Sequence, residues 1–299
     1  MPKTMDTASG SADLIFQSSD GTKFPVHRKN VQSMAGAFPI PETTTPTIVT
    51  QLPEPAKVLE VVFQFVYPKR LPSLDDRDFD LLMEIAKAVE KYEVFSAMQA
   101  CTYAFMNARF KGTHSADILA FAIKYEYPQL ADSAAEDLLF FDAIHTAEKL
   151  PDKHLLLWLK YRKAGRKAIF GSAEEKIDTM KMDLVCSPSL PYPPTNQYGC
   201  CHCRDGSTRW MKHLKRISSR SALTEEILGF SDYQFSPNTS VKCSCLKKRR
   251  CMHLSEVAGL VKKGLEQIPS FTDFRRGLDE QNEGAQTKQN VDDESSDLD

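Results

Sequence analysis

The sequence has no stretch of about 18 apolar residues, the minimum for a helix that crosses a membrane. Its first residues, MPKTMDTASGSADL, lack the apolar run of a secretory signal. Both absences point to an intracellular protein, cytoplasmic or nuclear, with no membrane partner. In such a reducing compartment the 8 cysteines are expected as thiols or metal ligands rather than disulfides. The sequon Asn238-Thr239-Ser240 is then a chance match. Enzyme signatures are missing too. There is no GxGxxG, no P-loop, no GxSxG and no HExxH. His114, His145 and His154 stand apart from any nucleophile or carboxylate motif, so no catalytic residue is expected. Charge of one sign is also lacking overall, with a net −2. From Asp279 onward, however, acidic residues outweigh a lone Lys288, which leaves a mildly basic body. That bias is too weak to argue for nucleic acid.

What is present starts with Ala12 to Arg28, ADLIFQSSDGTKFPVHR. Leu14 and Phe16 alternate with Ile15 and Gln17, and Phe24 and Val26 alternate with Pro25 and His27. Ser19-Asp20-Gly21 between them supplies turn chemistry, so the stretch reads as a hairpin. Two strands alone are marginal in water and need helices packed on them. A short helix follows over Lys29–Met34, then a loop, FPIPETTTPT, and a third strand over Ile48–Leu52 closed by Pro53. Ala56–Tyr67 reads as a helix ended by Pro68, with Val58, Leu59, Val62, Phe65 and Val66 on one stripe. Phe79–Tyr92 is a second, with Asp75, Asp76 and Asp78 at its positive end. Phe95–Met106 is a third, with Phe95, Met98, Thr102 and Phe105 in register.

These residues resemble a BTB/POZ domain: ADLIF-x4-GTKFPVHR, a strand, VLEVVFQFVYP, then LLMEIAKAVEKYEVFSAMQAC. The resemblance covers residues 12–108 and is most similar to the BTB proteins expanded in basidiomycete fungi. It implies an α/β (α+β) fold, a small sheet packed on a helical cluster, followed by mostly α-helical C-terminal regions. It also implies protein partners, homodimerisation, and a scaffold or adaptor role. Asp13, His27 and Arg28 are similar to that family's interface or structural positions. One alternative is a cullin-3 ubiquitin-ligase substrate adaptor, although Met34-Ala35-Gly36-Ala37-Phe38 shows no clean apolar-x-Glu contact motif.

The organisation expected is a disordered leader over 1–11, the BTB/POZ-like domain over 12–108 and a helical extension over 109–185. A Pro-rich linker over 186–198, a Cys-containing helical module over 199–276 and an acidic disordered tail over 277–299 follow. In the extension, helices are expected over Ile118–Tyr125, Leu130–Phe141 and Leu155–Ile169. The last has a basic face of Lys160, Arg162, Lys163, Arg166 and Lys167.

Six of the eight cysteines fall within 200–251. Cys200-x2-Cys203 has the spacing with which two thiolates grip one tetrahedral zinc. Cys243 and Cys245 are the first candidates for the other pair, with Cys251 and His253 as substitutes. A structural zinc is one reading, and thiols packed between short helices are the other. Lys247-Lys248-Arg249-Arg250 sits inside the cluster, so the second functional alternative is a zinc-stabilised nucleic-acid-binding or transcription-associated protein. No ββα spacing supports it, and a nucleic-acid partner is not the expectation.

Overall fold

The computed structural model describes residues 12–42, 49–179, 201–229 and 252–281. The chain is mixed α/β, mostly helical with one small sheet, and divides into two compact units, 1–114 and 115–299. The leader 1–11 and the linker 186–198 lie outside the described residues.

The first unit is built on strand β1 (Leu14–Gln17), the centre of a sheet of order β2-β1-β3. β2 (Lys23–Val26) pairs with it antiparallel, Leu14 opposite Val26 and Phe16 opposite Phe24. β3 (Val49–Gln51) pairs with its other edge in parallel. Gly21 takes φ +88° in the hairpin turn, where a side chain would be strained. The alternation puts Leu14 and Phe16 on the buried face. Phe16 meets Phe38 and Phe63, and Phe38 stacks on Tyr92 at 4.3 Å between ring centres. This aromatic cluster joins sheet and helices into one core.

Helix α1 (Arg28–Met34) follows the hairpin directly. Helix α2 (Ala56–Gln64) stops well short of Tyr67, so Phe65 and Val66 belong to a turn, not to the helix. Both are nonetheless fully buried. A residue before proline is disfavoured in the α region, and the chain leaves the helix ahead of Pro68. Helix α3 (Phe79–Tyr92) has the expected bounds. Asp78 Oδ1 accepts from Leu81 N at 2.9 Å at its start, and Glu93 with φ +51° ends it. Helix α4 (Phe95–Phe105) follows, then a single 3-10 turn at Ala108–Phe110.

The second unit opens with α5 (Ser115–Lys124), α6 (Pro128–Leu138) and α7 (Ala143–Lys149). Its longest element is α8 (Asp152–Thr179), 28 residues where the sequence pattern indicated Leu155–Ile169. Beyond Ile169 it still buries Phe170, Ala173 and Ile177. The covering elements are α9 (Cys201–Leu214) and α11 (Met252–Glu266), with α10 (Arg220–Gly229) packed on α11. Thus helices from both sides of the proline-rich stretch form one bundle. Residues 271–281 form α12, so positions 277–281, expected in the disordered tail, are helical. Phe271 packs edge-on against Tyr161 at 5.2 Å, and Thr272 N donates to Asp132 Oδ1 at 2.8 Å.

The expected basic face of α8 is only partly a solvent face. Arg162 donates to Phe141 O at 3.2 Å, and Arg166 donates to Leu139 O at 3.0 Å and Lys215 O at 3.2 Å. Both guanidinium groups satisfy carbonyls at helix ends, where cations are favoured.

Candidate functional site

The hairpin register brings the first candidate group together. With Leu14 opposite Val26, Asp13 lies beside the start of α1. Its Oδ1 accepts from Arg28 N at 2.7 Å. The residue before that helix, His27, makes no side-chain cap, so Asp13 supplies the acceptor from across the hairpin. His27 Nδ1 sits 3.2 Å from the Tyr67 hydroxyl, and the two rings meet edge to face at 5.9 Å. Burial pushes the Tyr67 phenol above its ordinary pKa. Asp13 therefore serves a backbone amide and His27 meets a phenol, which ties the hairpin to the start of α1 and to Tyr67. Tyr67 was legible only as the aromatic before Pro68. Nothing local connects it with His27, 40 residues away.

A second group lies nearby in the same unit. Glu54 accepts from Lys91 Nζ at 2.7 Å and also from the Tyr92 hydroxyl. Burial and this carboxyl neighbour raise the Tyr92 phenol well above its usual range.

Among the described residues of this unit, helix α4 carries two large exposed apolar side chains, and Leu71, in the loop after α2, is another. The buried face of α4 is Ala97, Cys101, Thr102, Ala104 and Phe105. Phe95 is not part of it. This ring is 58 % exposed and Tyr103 is 67 % exposed, two turns further along the same side. The expected Phe95–Phe105 register fails because Phe95 is the first helical residue, ahead of the turn that meets the core. Burial pushes the Cys101 thiol up to about 12, which keeps it protonated and unreactive. His114 stacks on Phe79 at 3.8 Å, a packing role. His154 is held below its ordinary value by burial and by Lys153 and Arg275.

Of the predicted metal ligands, Cys200, Cys243, Cys245 and Cys251 lie outside the described residues, as does the basic run 247–250. Cys203 and His253 are placed as residues of α9 and α11. Among the described residues no cluster of three or more His, Cys, Asp or Glu side chains could hold a metal ion. No helix among them is long and apolar enough to cross a membrane. Between α8 and α9 runs an open groove of about 390 Å³, with Glu174 and Asp178 on one wall and Lys212 and Lys215 on the other. Ile177 and Met211 lie between these charged walls, and Lys215 pairs with Glu174 across the groove.

Compared with family models and with curated proteins, the sequence matches none.

Proposed function

We propose that the first unit is a BTB/POZ-like protein-interaction module that pairs with a second copy of itself, and that the chain acts as a scaffold or adaptor. The observation that carries this reading is the outer face of α4, which leaves Phe95 and Tyr103 in solvent beside a fully packed inner face. Large aromatics are costly to expose and are enriched among the residues that dominate interface energy. The hairpin, the short parallel strand and the helices after it follow the order of the motifs that carry the resemblance. Asp13 and His27 hold the hairpin to α1 and to Tyr67, which supports a structural role at these positions. The work such a module does is area burial and complementarity, not bond chemistry.

Native mass spectrometry of the full-length protein tests this. A dimer mass is expected for the wild type. Phe95→Glu with Tyr103→Glu is expected to give a monomer with unchanged circular dichroism, because both side chains already face water. A wild-type monomer at micromolar concentration would remove the dimerisation claim. Binding of purified cullin-3 by the wild type would select the ubiquitin-ligase adaptor among the scaffold roles.

A further inference from the structure

Helix α8 keeps one long stripe out of the bundle of the second unit. Trp158, Tyr161, Gly165 and Ile169, at spacings of three and four, mark the face its first half buries. The same period started from Leu156 runs through Lys160, Lys163 and Lys167, and all four side chains are exposed. Leu159, one turn on from Leu156, borders this stripe. Leu156 is 63 % exposed and Leu159 is 41 % exposed. Lys153, one turn before Leu156, is exposed as well. The stripe therefore joins two apolar side chains at one end to lysines that continue for about three turns, roughly 16 Å from Leu156 to Lys167.

The charge on this stripe is of one sign. Between Lys153 and Ala173 the helix carries no Asp or Glu. Lys153, Lys160, Lys163 and Lys167 form no ion pair with a described residue, whereas elsewhere in the unit Lys149 pairs with Asp117, Lys176 with Glu256 and Lys215 with Glu174. The helix behind the stripe is held in place. The Tyr161 hydroxyl donates to Pro269 O at 3.1 Å, and Arg162 and Arg166 donate to Phe141 O and Leu139 O. A Cβ at Gly165 would stand 2.9 Å from the Leu139 methyl groups, so α8 lies close against that neighbour. A partner thus meets a ready-made helix and does not have to order it on binding.

We propose that the stripe from Leu156 to Lys167 docks an acidic amphipathic helical segment of another protein. The inference rests on the scaffold reading and names the kind of partner recruited, but it uses the second unit and not the α4 face. Apolar residues of that segment, three and four apart, pack on Leu156 and Leu159, which are the anchors. Carboxylates beside them meet Lys160, Lys163 and Lys167, which set the direction of docking and speed the encounter more than they add affinity. Charge complementarity selects this occupant. A second copy of the stripe would bring lysines against lysines. A duplex would set its phosphates against Leu156 and Leu159, which offer them no donor. An anionic bilayer takes up a helix along a continuous apolar face, whereas α8 turns Trp158, Tyr161 and Ile169 into the bundle and leaves outside only one turn of leucine.

The test is fluorescence anisotropy of the full-length protein with a labelled helical probe of about 18 residues, alanine-based, with leucines three and four apart and glutamates on either side of them. Saturable binding that weakens with added salt is expected. Leu156→Ser with Leu159→Ser is expected to weaken it at least about 10-fold. Lys160→Glu with Lys163→Glu and Lys167→Glu is expected to lose the acidic probe by a similar factor and to gain the same probe with lysines for glutamates, which an unfolded variant would not do. Phe95→Glu with Tyr103→Glu is expected to bind the acidic probe like the wild type, so loss of dimerisation and loss of docking are read separately. Unchanged binding in the leucine or the lysine variant would overturn the proposal, as would equal binding of a leucine-free probe. Tighter binding of duplex DNA or of phosphatidylserine vesicles, with the same loss in the leucine variant, would assign the stripe to those surfaces instead. A native mass that falls from dimer to monomer in the leucine variant would assign it to a second copy. Probe binding that appears only once the carboxylates of 292–299 are changed to amides would assign it to the chain's own acidic end, and each of these three results would also overturn the proposal.

Discussion

Single polar contacts hold the first unit together at points where helices and strands begin. Asp13→Ala removes the acceptor of Arg28 N, and nothing on His27 replaces it at the start of α1. The expected loss is about 1–2 kcal/mol by urea denaturation, with Asp13→Asn losing less because its Oδ1 still accepts. Tyr92→Phe strips Glu54 of a buried donor and is expected to cost about 1–3 kcal/mol. The two phenols most raised by burial, Tyr92 and Tyr161, give the protein a characteristic alkaline limit. Unfolded tyrosine titrates near 10.0, while the folded groups stay protonated well above that. Their contribution is therefore complete below pH 10 and declines as pH rises past it. Urea midpoints measured from about pH 8 to about pH 11 should fall steeply in the wild type and less so in the Tyr92→Phe, Tyr161→Phe double variant.

Helix α11 offers a paired comparison at the level of the element. A Cβ at Gly264 would stand 2.3 Å from Ala168 O, a backbone atom that can yield only if α8 and α11 separate. A Cβ at Gly259 meets nothing within 4 Å. Gly264→Ala is expected to destabilise by at least about 1–3 kcal/mol, and Gly259→Ala to stabilise by up to about 1 kcal/mol, in thermal unfolding. The same helix shows what a linear pattern conveys. Its apolar residues recur at the helical period, so its existence is legible, but Gly264 reads as a weak helix residue until Ala168 is seen beside it. The start of helix α3 is legible because Asp78 marks it chemically, and its buried stripe carries the reading through to Tyr92. By contrast, α7 and α10 passed unnoticed, being short and without a sustained stripe. The continuation of α8 to Thr179 was hidden because its last turns are polar on most sides and owe their burial to partners far along the chain. At the candidate sites the outcome was similar. Cys200-x2-Cys203 announces itself by spacing, whereas the meeting of His27 with Tyr67 depends on a fold that no local pattern encodes.

Over the whole molecule, the packing of α8 against both α9 and α11 predicts that the bundle of the second unit survives a break in the chain between α8 and α9. A protease site inserted within 186–198 and then cut should give two fragments that co-elute in size exclusion and part only in denaturant, since α8 packs against both α9 and α11. Separate elution under native conditions would show that the contacts between these helices cannot hold without the covalent link. The order of these helices also matters while the protein is being made. The first unit is closed by residues up to 114 and can fold as soon as they emerge. The stripe of α8 through Phe170, Ala173 and Ile177 meets α9 first, but its cover is completed by α11, whose Val257 and Val261 are synthesised about 80 residues later. At ribosomal speeds of roughly 5–20 residues per second, that apolar surface waits on the order of 4–16 s for its cover. Every nascent chain thus spends this interval with a folded head and a sticky half-bundle, the state in which chaperones are most needed and premature termination does the most harm.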